Sequence, residues 1–284
     1  MKEMSLRELQ LFSLDILKDV QIFCLENNIR FSLYGGTLLG AIRHQGFIPW
    51  DDDIDIIMPR EDYDRFCRIY KSDKYRIVNR DTDKSFQLAY SHVCDFDKTI
   101  CDVWFPYSNK QTGVFIDVFP ADGCPPDEDE VSVFYKKNQE CFNMTNLTRR
   151  YMRSYLSEWK ICIDILSFFS FLKHMAVYPL KKFYWLYIKQ GKSKWINRLI
   201  KLNTTYKFGQ TPYWGSFSCL YKHVVYHPID SLEGFIKCKF EDTEFPVMKG
   251  YDGYLKRVYG DYMKLPPKEQ QRPPLKGFYT FYWK

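Results

Sequence analysis

The chain has 284 residues, 45% hydrophobic and 27% charged, which supplies a substantial core and excludes wholesale disorder. Its formal net charge of +6 is small and interleaved with 35 acidic residues, which excludes a nucleic-acid reader and favours anionic partners such as phosphates, nucleotides or acidic lipid. Nine cysteines without a C-x-x-C pair, an early charge cluster at Lys2, Glu3, Arg7 and Glu8, and a longest central apolar run of only Ile165 to Leu172 exclude a disulfide framework, a signal peptide and a spanning helix of ~20 residues, so a cytoplasmic protein is expected.

Ser5 and Glu8 have the spacing of a capping box, and Leu6, Leu9, Phe12, Ile16, Val20 and Phe23 recur at helical intervals, which predicts an amphipathic helix over 6–27 ending at Asn27 and Asn28. A short strand follows over 29–34, closed by Gly35 and Gly36, with a helix start over 38–43. Residues 54–58 read as a second strand preceded by carboxylates, and Pro59 and Glu61 open a helix to about Tyr70. Strands are expected at 75–78, 87–94 and 114–119, then an acidic, proline-containing loop at 125–130. The text is helical and aromatic-rich over 131–205 and mixed from 206 onward, with a helix expected to end at Gly260. This order predicts an α+β fold: one catalytic unit over 1–284, with a core at 1–130, a helical insertion at 131–205 and a C-terminal part at 206–284 that returns to the core.

The informative text runs from Leu33 to Met58, LYGGTLLGAIRHQGFIPWDDDIDIIM. Asp53 and Asp55 stand two apart, and on a strand that spacing aims both side chains at one face, with Asp52 pointing away. Two hard oxygen donors on one face suit Mg²⁺ or Mn²⁺. Asp117 lies in the apolar strand FIDVF, where a carboxylate is costly unless paired or bound to metal, so it is expected to complete a three-carboxylate catalytic site. Gly35, Gly36 and Thr37 can cradle a phosphate, and Arg43 and His44 can contact a diphosphate.

The glycine pair, the Asp-x-Asp in apolar text and the later apolar-Asp-apolar strand resemble the nucleotidyltransferase fold. Within it, GGTLLGAIRHQGFIPWDDDIDI, GVFIDVFPADG (Gly113 to Gly123) and FPVMKGYDGYLKRVYGDYMKLPP (Phe245 to Pro267) are very similar to the LicD family of phosphocholine transferases, to which the fukutin-related proteins are related. The resemblance covers both ends and is weak in the helical middle. It implies transfer of phosphocholine, or a related phospho-group, from a CDP-linked donor such as CDP-choline to a cell-surface glycan or its lipid-linked precursor, with Asp53, Asp55 and Asp117 around the metal. A histidine that the family often carries after its proline-rich stretch has no counterpart in Arg272 to Gly277. Two rivals remain: a nucleotidyltransferase that leaves the nucleotide on its acceptor, and a non-catalytic glycan- or Ca²⁺-binding module.

Three further signals are weaker. A choline head group calls for an aromatic box, and Trp50 is a candidate wall or a packing residue. His223 and His227, four apart, are either packing histidines or a metal pair. The tryptophans, phenylalanines and lysines of 159–195 either lie at a membrane surface or pack on the core with a solvated lysine face.

Overall fold

A computed structural model describes residues 1–103, 108, 110–158, 194–218, 226–272 and 279–284. After a short strand β1 (Lys2–Glu3), helix α1 (Leu6–Glu26) begins where predicted. The capping box is formed: Glu8 N–H donates to Ser5 Oγ at 3.3 Å and Ser5 N–H to the Glu8 carboxylate at 2.8 Å. Leu9, Ile16, Leu17, Val20 and Cys24 form its buried face.

Strand β2 is confined to Ser32–Leu33, and helix α2 (Gly35–His44) takes in both glycines instead of starting after them. Strand β3 (Asp55–Pro59) runs into helix α3 (Arg60–Ile69) and then β4 (Tyr75–Val78). Strands β5 (Ser91–Asp95), β6 (Thr99–Val103) and β7 (Phe115–Gly123) follow, β6 being unforeseen. Helix α4 (Glu128–Glu158) starts inside the predicted acidic loop. Asp127 caps it, accepting from the N–H groups of Asp129 at 2.8 Å and Glu130 at 3.2 Å. Acidic residues favour a helix N-terminus as much as a loop, which explains the difference.

A helical stretch α5 (194–203) precedes β8 (Tyr213–Gly215) and β9 (His227–Pro228). A hairpin of β10 (Phe235–Phe240) and β11 (Thr243–Met248) leads to α6 (Tyr251–Tyr259), which ends at Gly260 with φ +68° as expected. Strand β12 (Tyr279–Trp283) closes the chain.

The fold is α+β. The central sheet has the order β2-β3-β7-β5-β4; β3 and β7 are parallel and their neighbours antiparallel. Strand β8 extends the far end of β7, and β9 pairs with β8. A second sheet, β1-β12-β6, joins the two chain ends. The main hydrophobic core draws on α1, α2, α3, the central sheet and α6. Because β3 and β7 are buried and parallel, their N-terminal ends open together at one edge of that core, and the acidic motif lies there.

The segment 159–193, with nearly all of the proposed membrane-surface region, lies outside the described residues, as do His223 and 273–278. Trp195, at its margin, packs beside a small cluster of Ala89, Cys141, Ile196 and Leu199. Among the described residues, no helix is long and apolar enough to cross a membrane.

Candidate active site

The register of β3 on β7 sets Asp55 directly beside Asp117, so two carboxylates far apart in sequence share one edge of the sheet. The Asp117 N–H donates to Ile54 O at 2.9 Å, locking that register one residue before the strand. Asp53 precedes β3, so strand parity is not what brings it in. Asp51, Asp52 and Asp53 each bring a carboxylate oxygen within 4.8 Å of the others. Asp52, expected to point away, therefore joins the cluster, because the chain there is irregular and has no alternating faces.

The cluster is electrostatically strained. Burial, then Asp52, pushes the Asp51 carboxyl up to about 6. Burial followed by the neighbouring carboxylates, Asp55 first for Asp53 and Asp117 first for Asp55, raises both well above the usual range. Converging carboxylates in a desolvated setting hold protons unless a cation replaces them. An all-oxygen donor set of this charge fits Mg²⁺ or Mn²⁺.

The first turn of α2 lies against these acids. Gly35 adopts φ +54°, and a Cβ on it would sit 2.8 Å from Asp55 Oδ2; a Cβ on Gly36 would sit 2.7 Å from Asp51 Oδ2. The room left by the two missing side chains is thus taken by carboxylates. The Thr37 hydroxyl, buried, accepts the Asp55 N–H at 2.9 Å. These three residues support the acids from behind, with the positive end of the α2 dipole directed at them. Gly35→Ala is expected to displace Asp55 and lower activity roughly 10- to 100-fold for a folding penalty of about 1–2 kcal/mol. Activity falling only in proportion to a stability loss would reject this.

Arg43, seven residues beyond Gly36 on the same helix face, is engaged elsewhere. Its Nη1 donates to the carbonyls of Tyr262 at 2.8 Å and Lys264 at 3.3 Å, and its Nε to His44 Nε2 at 2.9 Å. Burial, then Arg43, pushes the His44 imidazole down, so it stays neutral. The Trp50 ring, half-buried, packs on the main core and stands edge-on to His44 at 6.4 Å. Arg43 thus ties α2 to the segment after α6, with His44 against its guanidinium and Trp50 edge-on to His44.

Two further residues reach the site. On β5, His92 pairs in register with Asp117, and its Nε2 lies 3.0 Å from Asp117 Oδ1. Its buried ring stacks on Phe115 at 4.2 Å with an interplanar angle of 2°. At the end of α6, the Tyr259 hydroxyl lies within the field of Asp55, Asp51 and Asp53, although 40% of the residue is exposed. Burial of that hydroxyl and the surrounding negative charge push its pKa up, so the phenol stays protonated and can donate. A lone histidine in an apolar strand has no spacing to betray it. Tyr259 could have been sought as the aromatic ahead of the Gly260 stop.

The fold thus presents an α+β sheet edge carrying clustered acids beside a glycine-led helix. The family model of the LicD/FKTN/FKRP nucleotidyltransferase domain matches residues 28–179. The chain belongs to this family, and it is an enzyme of the LicD transferase type. It is 32% identical over 281 residues to the lipopolysaccharide cholinephosphotransferase LicD of Haemophilus influenzae, covering 96% of this chain and 97% of that one. It is also similar to two rickettsial proteins: RP689 of Rickettsia prowazekii, 32% identical over 39% of each chain, and RT0683 of Rickettsia typhi, 46% identical over 22% of this chain and 21% of that one.

Proposed function

We propose that the protein moves phosphocholine, or a closely related phospho-substituent, from a CDP-linked donor such as CDP-choline to a hydroxyl of a cell-envelope glycan or its lipid-linked precursor, lipopolysaccharide being the favoured class. The observation that carries this reading is the near full-length similarity to a lipopolysaccharide cholinephosphotransferase. The convergence of Asp53, Asp55 and Asp117 at one sheet edge supports it.

In this reading Asp53 and Asp55, with Asp51 close by, hold Mg²⁺ or Mn²⁺. When bound, the ion neutralises the donor's diphosphate and stabilises charge on the leaving nucleotide. Asp117 stands beside Asp55 with one oxygen 3.0 Å from His92 Nε2, and its other oxygen takes the proton of the attacking hydroxyl. A bond forms between the acceptor oxygen and the phosphorus of phosphocholine, the diphosphate bridge breaks, and CMP leaves. The Tyr259 phenol donates to an oxygen of the reacting phosphate. Gly35, Gly36 and Thr37 act through the carboxylates they abut. Arg43, backed by His44, keeps the segment after α6 in place. A lipid-linked acceptor would bring residues 159–195 to a membrane surface.

The test is phosphorus NMR of the protein with Mg²⁺, CDP-choline and lipopolysaccharide acceptor. Release of CMP with a phosphodiester on the glycan is the expected result. Nucleotide retained on the glycan would establish nucleotidyl transfer instead.

The cation also has a readout independent of turnover. An Asp whose folded pKa stands above its ordinary 3.8 contributes stability that is complete below pH 3.8 and lost as the pH rises through the folded value. For Asp51 this loss runs from about pH 4 to about pH 6, and for Asp53 and Asp55 it extends higher. Mg²⁺ replaces the protons these groups hold. At a hundredfold excess over Kd it should add about 2.7 kcal/mol at pH 8 and much less at pH 5. Thermal unfolding at both pH values measures this, and equal Mg²⁺ shifts would reject it.

A further inference from the structure

A cavity of about 440 Å³ opens between β9 and α6, away from the carboxylates. Gly250, Gly253, Tyr254 and Arg257 form its helical wall, at the i, i+3, i+4 and i+7 positions of one helix stripe. At 100° per residue, Tyr259 projects from roughly the opposite side of α6. The helix therefore separates the two sites, one on each of its faces.

Three features define what the cavity takes. His227 lines its floor, only 2% exposed and wedged between the rings of Trp214 and Tyr254, each 4.8 Å away. Its Nε2 is buried with no hydrogen-bond partner among the described residues, a condition that few native groups tolerate without a ligand or water. Burial, then Arg257, pushes this imidazole down to about 3, so it is neutral and can offer an N–H without carrying charge.

The first turn of α6 is bare. Its cap is Gly250, with no side-chain capping bond, and the carboxylate of Asp252 is turned away, accepting from Lys256 Nζ at 2.7 Å and the Tyr262 hydroxyl at 2.8 Å. A Cβ on Gly253 would meet nothing within 4 Å, so this wall is open to an incoming group. The first amides of a helix have no partners of their own and favour anions.

Lys249 and Arg257 stand exposed on the rim, neither in an ion pair among the described residues, against one lining acid, Asp230. Arg257 lies over the Tyr226 ring at 5.3 Å. Two cations, a bare helix start and a buried unpartnered nitrogen converge on one opening, and this combination suits a dianionic oxyanion. The volume exceeds what a phosphate alone needs, which leaves room for the sugar that carries it.

We propose that this pocket binds the phosphate of a phosphorylated sugar, at a site separate from the catalytic carboxylates. On the transferase reading above, it anchors a phosphate already present on the acceptor glycan, about one helix width, ~10 Å, from the reacting hydroxyl. The reaction that supplies this acceptor is then a sugar kinase type of step, acting before the phospho-substituent is transferred.

Nitrogen-15 NMR of the full chain tests the site without requiring turnover. Hexose 6-phosphate should shift the His227 ring nitrogens and the Gly253 amide, and the unphosphorylated hexose should not. Lys249→Glu combined with Arg257→Glu, both at exposed positions, should weaken the response at least tenfold. Gly253→Ala raises helix propensity, so a reduced response in that variant cannot be charged to unfolding. An undiminished response in the double variant, or shifts at Asp53 and Asp55 with none at His227, would overturn the site. Competition by phosphatidic acid vesicles without a response to hexose 6-phosphate would overturn the sugar assignment in favour of a lipid headgroup. If transfer assays fail while this binding persists, the reaction and not the pocket has been misassigned.

Discussion

Asp55→Asn is expected to remove transfer activity while leaving the protein folded. Asp55 lies beside Asp117 across the strand pair, against the bare first turn of α2, with its backbone N–H held by Thr37. An amide preserves that shape and loses the charge. If the carboxylate contributes about 4 kcal/mol to stabilising developing charge through a bound cation, the rate falls roughly 10³-fold. The variant also carries a signature that a structural role would not. Burial, Asp117 and Asp51 all disfavour the ionised form of Asp55, so neutralising it relieves repulsion. Without metal, Asp55→Asn should unfold at or above the wild-type temperature, and the rise produced by Mg²⁺ should shrink. Asp53→Asn should behave in the same way, since burial and then Asp55 raise it. Full turnover in either variant, or an unchanged Mg²⁺ shift, would end the metal mechanism.

Breaking the ion pair of Arg60 and Asp122 is expected to have the largest effect on stability. Asp122, with no exposed surface, accepts from Arg60 Nε at 2.6 Å and Nη2 at 2.8 Å. The pair ties the start of α3 to the far end of β7. Burial pushes the Asp122 carboxyl up, Arg60 opposes that, and the carboxylate in turn holds the guanidinium protonated. Asp122→Ala leaves the largely buried Arg60 guanidinium with only the exposed Asp64, at 3.3 Å, which costs about 3–5 kcal/mol, against roughly 0–1 kcal/mol for an exposed pair. For a chain of this size the unfolding temperature should drop on the order of 10 °C. Replacing both partners with apolar residues of similar volume should recover most of the loss. A drop no larger than that of the exposed pair Lys256 and Asp252 would show that the buried pair is not a tie.

What the sequence determined by itself was local. The capping box of α1, the extent of β4 and the stop at Gly260 depend on contacts within a few residues, and such contacts are written in the spacing. The acidic motif and its nearness to a glycine pair were legible for the same reason, and so was the apolar strand around Asp117. The tertiary structure alone decided how these pieces meet. Strand register set Asp55 beside Asp117 and brought His92 to within 3.0 Å of it, although no spacing in the chain relates residue 92 to either. Irregular backbone before β3 turned Asp52 into the cluster, where a strand would have turned it out. The glycines proved to be the first turn of α2, their open space filled by acids, because the close approach came from another segment. Tyr259 arrived on a helix more than 200 residues from Gly35. Hydrogen bonding and capping within one element depend on near neighbours, whereas a site of converging charges depends on pairing between elements, and that pairing is fixed only when the core closes.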